Sequence, residues 1–223
     1  MIKLSAFQKI LGAFVAFILG MIICRILYSD SLRYIFLSWN LFLAWIPFKI
    51  SLYLSSNKKR KSWQAAILVA GWLLFFPNAL YIITDLIHLE TKTNVPLWYD
   101  VVLLFTSAIA GLMMAFASLY KVEKFFARQV GIPAAGKLII LCLFIGSFGV
   151  YLGRFLRWNS WDIIADPWDL AKEITVRFVF PFEYYRTWAI TLLFTALFSL
   201  LYFAIKKLTI YGKPFSTEDV MAE

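Results

Sequence analysis

The sequence predicts an all-α polytopic transmembrane bundle of about six spans, and three observations carry that prediction. Apolar residues fill 62% of the 223 positions and aromatic residues 19%, while only 16% are charged. Mean hydropathy is +0.76, far above the balance of a soluble domain. Six apolar runs each approach the ~20 residues that a helix needs to cross a bilayer's hydrocarbon core. No polar stretch between them is long enough for a separate core, so residues 1–223 read as one membrane domain.

The runs lie near 7–28, 32–54, 63–83, 98–120, 136–156 and 187–205. Lys3 and Lys9 ahead of the first run resemble a signal peptide, but no small-x-small cleavage site follows, so the run is expected to stay as a span. Arg25 near its outer end and Lys49 near the inner end of the second run are placed to snorkel. Asn40 lies deeper and is expected to hydrogen-bond to another helix, and Pro47 to bend its span.

The third run is apolar up to Pro77 and then carries Asn78, Tyr81, Asp85 and His88, the only histidine. At 100° per residue these four fall within an arc of roughly 80° on a helix, with Leu80, Ile83 and Ile87 on the far side. Polar side chains at membrane depth turn toward protein or water, so the stripe marks a candidate site.

In the fourth run Asp100, Ser107, Gly111, Met114 and Ser118 share a face. In the fifth, Gly149 and Gly153 form a GxxxG, and Ser147, Tyr151, Arg154 and Trp158 share a face. Small residues let helix backbones approach closely, which predicts packing seams inside one bundle. Cys24 and Cys142 fall in apolar runs, spaced for neither zinc nor a redox pair.

The connections predict orientation. Lys3, Lys9, Lys49, the run Lys58, Lys59, Arg60, Lys61, then Lys121, Lys124, Arg128, Lys137, and finally Lys206, Lys207 and Lys213 all fall on one side if there are six spans. That side holds 14 of the 22 basic residues with four acids, Glu123, Glu218, Asp219 and Glu223; the other holds 8 basic residues and 9 acids. Cytoplasmic loops collect Lys and Arg, so both termini are expected to be cytoplasmic. The net charge of +9 is thereby an insertion signal beside a lipid bilayer, not a nucleic-acid footprint.

The last outer loop is the longest. Asp166 before Pro167 reads as a helix start, with an N-cap side chain and a proline at the first helical position. Leu170, Ile174 and Phe178 recur at i, i+4 and i+8 until Pro181. This predicts a short amphipathic helix on the outer membrane surface, with Trp168, Phe180, Phe182, Tyr184 and Tyr185 at headgroup depth.

The unusual polar residues all emerge on that outer side, from the third, fourth and fifth spans. Three chemistries suit them. Asp85 and His88 at i, i+3 can converge on one metal ion, with Glu90, Asp100 or Asp162 completing a carboxylate-rich shell, although one histidine without a second His or Cys excludes most zinc patterns. Alternatively, Asn78, Tyr81, Arg154, Arg157, Asn159, Trp161 and Asp162 form a ligand site, the arginines gripping a phosphate and Trp158 and Trp161 flanking a lipid. His88, oriented by Asp85 or Asp100, would then be a candidate general acid or base on a lipid-linked or anionic substrate. Pro77 beside Asn78 also allows a broken helix lining a transport path, though no inverted repeat accompanies it. Against all three stands a purely architectural reading: arginines and carboxylates at one depth pair with each other and lock helix ends. No cofactor or oligomeric state is specified.

The stretches PNALYIITDLIHL, VPLWYD and YLGRFLRWNSWDI resemble the domain-of-unknown-function family 1361 of bacterial membrane proteins, over most of the chain from the second span onward. The resemblance implies a multi-spanning protein of the bacterial plasma membrane. It implies no catalytic residues.

Overall fold

The computed structural model describes residues 6–56, 61–90 and 94–211, with side chains through 208. Lys3, Lys58, Lys59, Arg60, Thr93, Lys213, Glu218, Asp219 and Glu223 lie outside the described residues. Among those described there is no strand. The helices are α1 (Ala6–Ser29), α2 (Phe36–Ser56), α3 (Ser62–Tyr81), a 3₁₀ helix (Ile82–His88), α4 (Leu97–Val130), α5 (Ile132–Leu156), α6 (Asp162–Ala165), α7 (Pro167–Val179) and α8 (Tyr185–Tyr211). Six segments are long and apolar enough to cross a membrane: α1, α2, α3 with its 3₁₀ extension, α4, α5 and α8.

Helix α4 is the centre of the bundle, packed by α1, α2, α3 and α5, while α8 leans on α5. Its buried face carries Asp100, Ser107, Gly111, Met114 and Ser118, the set that shares one face in the sequence. In a bilayer, burying Leu against Leu gains little over burying it in lipid, so helix association depends on close approach and interhelical hydrogen bonds. The glycines supply the approach. A Cβ on Gly149 would lie 2.5 Å from Pro77 Cγ, and one on Gly111 would lie 3.0 Å from the Ala79 carbonyl oxygen. Both small-residue seams therefore join the same partner, the third span, one from α5 and one from α4.

Three boundaries differ from expectation. The fourth span runs ten residues past 120, so Lys121, Lys124 and Arg128 are on helix and not in a loop. Hydropathy falls there, but the amphipathic period continues: Val122 is fully buried and Phe125 and Phe126 pack on the core, with Lys124 and Arg128 facing out. The connection to α5 shrinks to Gly131, whose φ of +83° suits only glycine. Secondly, α7 begins at Pro167 as expected, yet Asp166 makes no side-chain cap hydrogen bond. Thirdly, the helical twist changes after Tyr81, which matters for the polar stripe.

Candidate functional site

In a 3₁₀ helix residues advance by roughly 120°, so side chains at i and i+3 eclipse. Asp85 and His88 therefore project together, Asn78 on the preceding α-helical turn points elsewhere, and Tyr81 stands between them, its ring against the same Arg154. The stripe drawn at α-helical pitch is in this way divided into two groups with different partners.

The first group meets Arg154 of α5. Its Nη2 pairs with Asp85 Oδ1, Nε donates to Thr84 Oγ1 at 2.8 Å, and Nη1 lies 2.8 Å from His88 Nε2. A guanidinium can only donate, so in this contact Nε2 of His88 is the acceptor. The Asp85 carboxylate takes a second hydrogen bond from Asn40 Nδ2 of α2 at 2.8 Å, the interhelical partner expected of Asn40. The Tyr81 ring lies under the guanidinium, 4.2 Å from its carbon. Asp85 is 1% and Arg154 9% exposed. Burying two charges is costly, and multiple donors plus the aromatic face offset that cost.

Asp100 has a different partner from either one the sequence proposed. Arg25 does not snorkel: it is 3% exposed and forks onto Asp100 through Nε at 2.8 Å and Nη2 at 3.1 Å. The cation also lies 4.5 Å from the ring of Tyr34, whose hydroxyl donates to the His88 carbonyl at 2.9 Å. Burial, together with the Asp100 carboxylate, pushes the Tyr34 phenol above its usual range. The two ion pairs thus form one chain, Asp100–Arg25–Tyr34–His88–Arg154–Asp85–Asn40. It ties the ends of α1, α3 and α5 to the starts of α2 and α4, so all five meet at one end of the bundle.

The metal shell proposed from sequence is taken apart by these pairings. Arg154's guanidinium fills the space between Asp85 and His88; Asp100 goes to Arg25, Glu90 to Arg33, and Asp162 to Asn159. Among the described residues no three of His, Cys, Asp or Glu converge. His88 is not oriented by Asp85 or Asp100, since its imidazole contacts are Arg154 and the edge of Phe36.

The second group faces a cavity of about 460 Å³. Its floor is α3 from Ala70 to Tyr81, its walls are α2 at Trp39, Asn40 and Leu43 and α5 from Ile145 to Gly153, and its roof is the segment Trp158–Ser160 with Leu170 and Ile174 of α7. Asn78 Nδ2 donates to the Phe75 carbonyl at 3.1 Å and to Ser160 Oγ at 2.8 Å, and Ser160 donates to the Leu74 carbonyl at 3.0 Å. These bonds cap the Leu74 and Phe75 carbonyls, beside the Leu73 carbonyl that Pro77, having no N–H, cannot reach. Asn159 also lines the cavity. Its backbone N–H and Nδ2 both donate to Asp162 Oδ2, at 2.7 and 3.3 Å. Trp161 is 41% exposed and meets Trp39 edge-on. Arg157 holds a left-handed C-cap (φ 62°), is exposed, and makes no ion pair among the described residues.

Of the predicted residues, then, Asn78, Tyr81 and Asn159 line the cavity, and Asp85 and Arg154 back its wall through Asn40 and Tyr81. His88, Asp100, Arg157 and Asp162 lie off it. Sequence reading missed Ser160, Thr84, Tyr34 and the pairing of Arg25. For Arg25 a signal existed, because an unpaired arginine and an unpaired aspartate each lie within one turn of an outer span end.

No curated protein and no solved structure matches the chain. A family model described as a protein of unknown function, DUF1361, matches residues 39–201, which takes in every cavity residue and the Asp85–Arg154 pair. The chain therefore belongs to the DUF1361 family.

Proposed function

We propose that this protein, one multi-pass domain of the bacterial plasma membrane with both termini cytoplasmic, binds a membrane lipid in the groove over α3. The charge asymmetry of the connections supports that orientation and, with it, a groove in the outer leaflet. One observation carries the binding reading: a cavity of about 460 Å³ has an apolar floor and walls and gathers its polar residues, Asn40, Asn78, Tyr81, Asn159 and Ser160, at the end under the roof. That division matches an amphiphile. Ligand sites are commonly apolar pockets with a few converging polar groups. At the margin, Ala70 and Ile145 are exposed and continue into the exposed Ile67 and Leu141, so a chain could enter from the bilayer.

Binding is favoured over catalysis because Nε2 of His88 is engaged by Arg154 and His88 is not among the cavity residues. Transport has less support, since Pro77 packs closely on Gly149 and the polar groups beside it, Asn78 and Ser160, are hydrogen-bonded to each other and to the α3 backbone.

Native mass spectrometry of protein purified in mild detergent tests the reading. Wild type should retain lipid, and Ala70→Trp and Ile145→Trp, which fill the groove from exposed positions, should lose most of it. Equal lipid retention by wild type and both folded variants would refute groove binding.

A further inference from the structure

We infer that the polar end of this groove selects a lipid with a neutral, hydroxyl-rich headgroup such as a sugar, and discriminates against phosphate; this rests on the lipid-binding reading above.

The argument is in the three asparagines that line the cavity. Each side-chain amide gives at least one N–H to an oxygen that can only accept. Asn40 Nδ2 donates to the Asp85 carboxylate, Asn78 Nδ2 to the Phe75 carbonyl as well as to Ser160, and Asn159 Nδ2 to the Asp162 carboxylate. The partners fix which end of each amide is nitrogen, because a carboxylate or carbonyl oxygen cannot meet an amide oxygen as a donor. The three Oδ1 atoms remain, and none accepts a hydrogen bond from any described residue. They do not appear among the buried polar atoms without partners either, so Oδ1 of the half-buried Asn40 and Asn78 keeps some accessible surface.

The cavity thus offers three amide oxygens as acceptors. Ser160 Oγ is committed on both sides, while the Tyr81 hydroxyl, the indole N–H groups of Trp39 and Trp158 and the second amide N–H of Asn40 and Asn159 make no hydrogen bond among the described residues, so every donor left at the cavity is uncharged. No Lys, Arg or His lines the cavity. Arg154 is held by Asp85, Thr84 and His88 with its face on Tyr81, and the exposed Arg157, next in sequence to Trp158, is not among the lining residues. A phosphate would meet no charged donor among the lining residues, whereas hydroxyls can both donate to the amide oxygens and accept from the uncharged N–H groups. A cationic headgroup would also donate, but no carboxylate lines the cavity to balance it. The exposed face of Trp39 and the partly exposed Trp158 supply flat apolar walls against which a sugar ring can lie.

The test reconstitutes wild-type protein in phosphatidylcholine nanodiscs doped equally with a monoglucosyl diacylglycerol, phosphatidylglycerol and phosphatidylethanolamine of matched chains, and reads bound lipid by native mass spectrometry after release. Two hydrogen bonds at their ordinary net worth give the glucosyl lipid about a tenfold preference or more over phosphatidylglycerol. Asn159→Ala keeps the backbone bond to Asp162 but removes one acceptor, and should lower that preference about threefold or more. Preferential retention of phosphatidylglycerol overturns the inference while leaving groove binding intact, provided Ala70→Trp abolishes it. Phosphatidylethanolamine retained as well as the glucosyl lipid overturns it in favour of an ammonium ligand. Lipid binding indifferent to Ala70→Trp and Ile145→Trp overturns both readings together.

Discussion

Replacing Arg154 by methionine isolates the energetics of the Asp85–Arg154 pair. The substitution keeps most of the apolar stem and removes the donors to Asp85, Thr84 and His88 and the cation over Tyr81. Asp85, 1% exposed, would keep only Asn40 as a partner. Removing one member of a buried ion pair typically costs ~3–5 kcal/mol, because a charge is stranded, whereas replacing both members by apolar groups is often close to neutral. Arg154→Met should therefore destabilise the protein by ~3–5 kcal/mol, and Arg154→Met with Asp85→Leu by about 2 kcal/mol less than that single change. Unfolding in mixed micelles with rising dodecyl sulfate, followed by tryptophan fluorescence, measures both. A loss below about 1 kcal/mol for Arg154→Met, or a double variant no more stable than the single one, would refute the claim that desolvated charges at this end hold the helices together. The double variant also separates architecture from binding: if it folds and still retains lipid, the ion pair supports the cavity without touching its occupant.

Arg25→Met should cost a similar ~3–5 kcal/mol in the same assay, since it strands Asp100, which is fully buried. Gly149→Ala should cost about 1–3 kcal/mol because the new methyl meets Pro77 at 2.5 Å, while Gly12→Ala, with nothing within 4 Å, should be neutral or stabilising. In a variant with Cys24 replaced, Lys59→Cys and Thr93→Cys should react with a membrane-impermeant thiol reagent from opposite faces, and labelling of both from one face would overturn the six-crossing orientation. Elemental analysis of wild type and Asp85→Ala should show no stoichiometric metal that depends on Asp85, because an arginine occupies the position between that residue and His88.

Much of the architecture was legible because the bilayer imposes a strong rule on length and hydropathy. The six spans, the seams at Gly111 and Gly149 and the interhelical role of Asn40 all follow from residue type and spacing. Partner choice was not legible to the same degree. Nothing local distinguishes Arg157, which stays exposed, from Arg25, which is buried; the choice is made by which helices α4 packs against. The extension of α4 beyond 120 was hidden because a charged amphipathic turn and a basic loop have similar composition. The 3₁₀ pitch of Ile82–His88 brings Asp85 and His88 onto one guanidinium from another helix, and none of this is marked in the local sequence.

The seven-residue 3₁₀ segment has a mechanical corollary. Runs of this kind seldom exceed 3–4 residues, and they rise about 2.0 Å per residue against 1.5 Å in an α-helix. Were Ile82–His88 to relax to α-helical pitch, the stretch would shorten by roughly 3.5 Å and its far end would rotate by roughly 140° about the axis. Such a screw motion would carry His88 off Arg154 and tug on Tyr34 through the His88 carbonyl. The C-terminal end of the third span is, in this sense, a wound thread held by three side chains, Arg154, Asn40 and Tyr34.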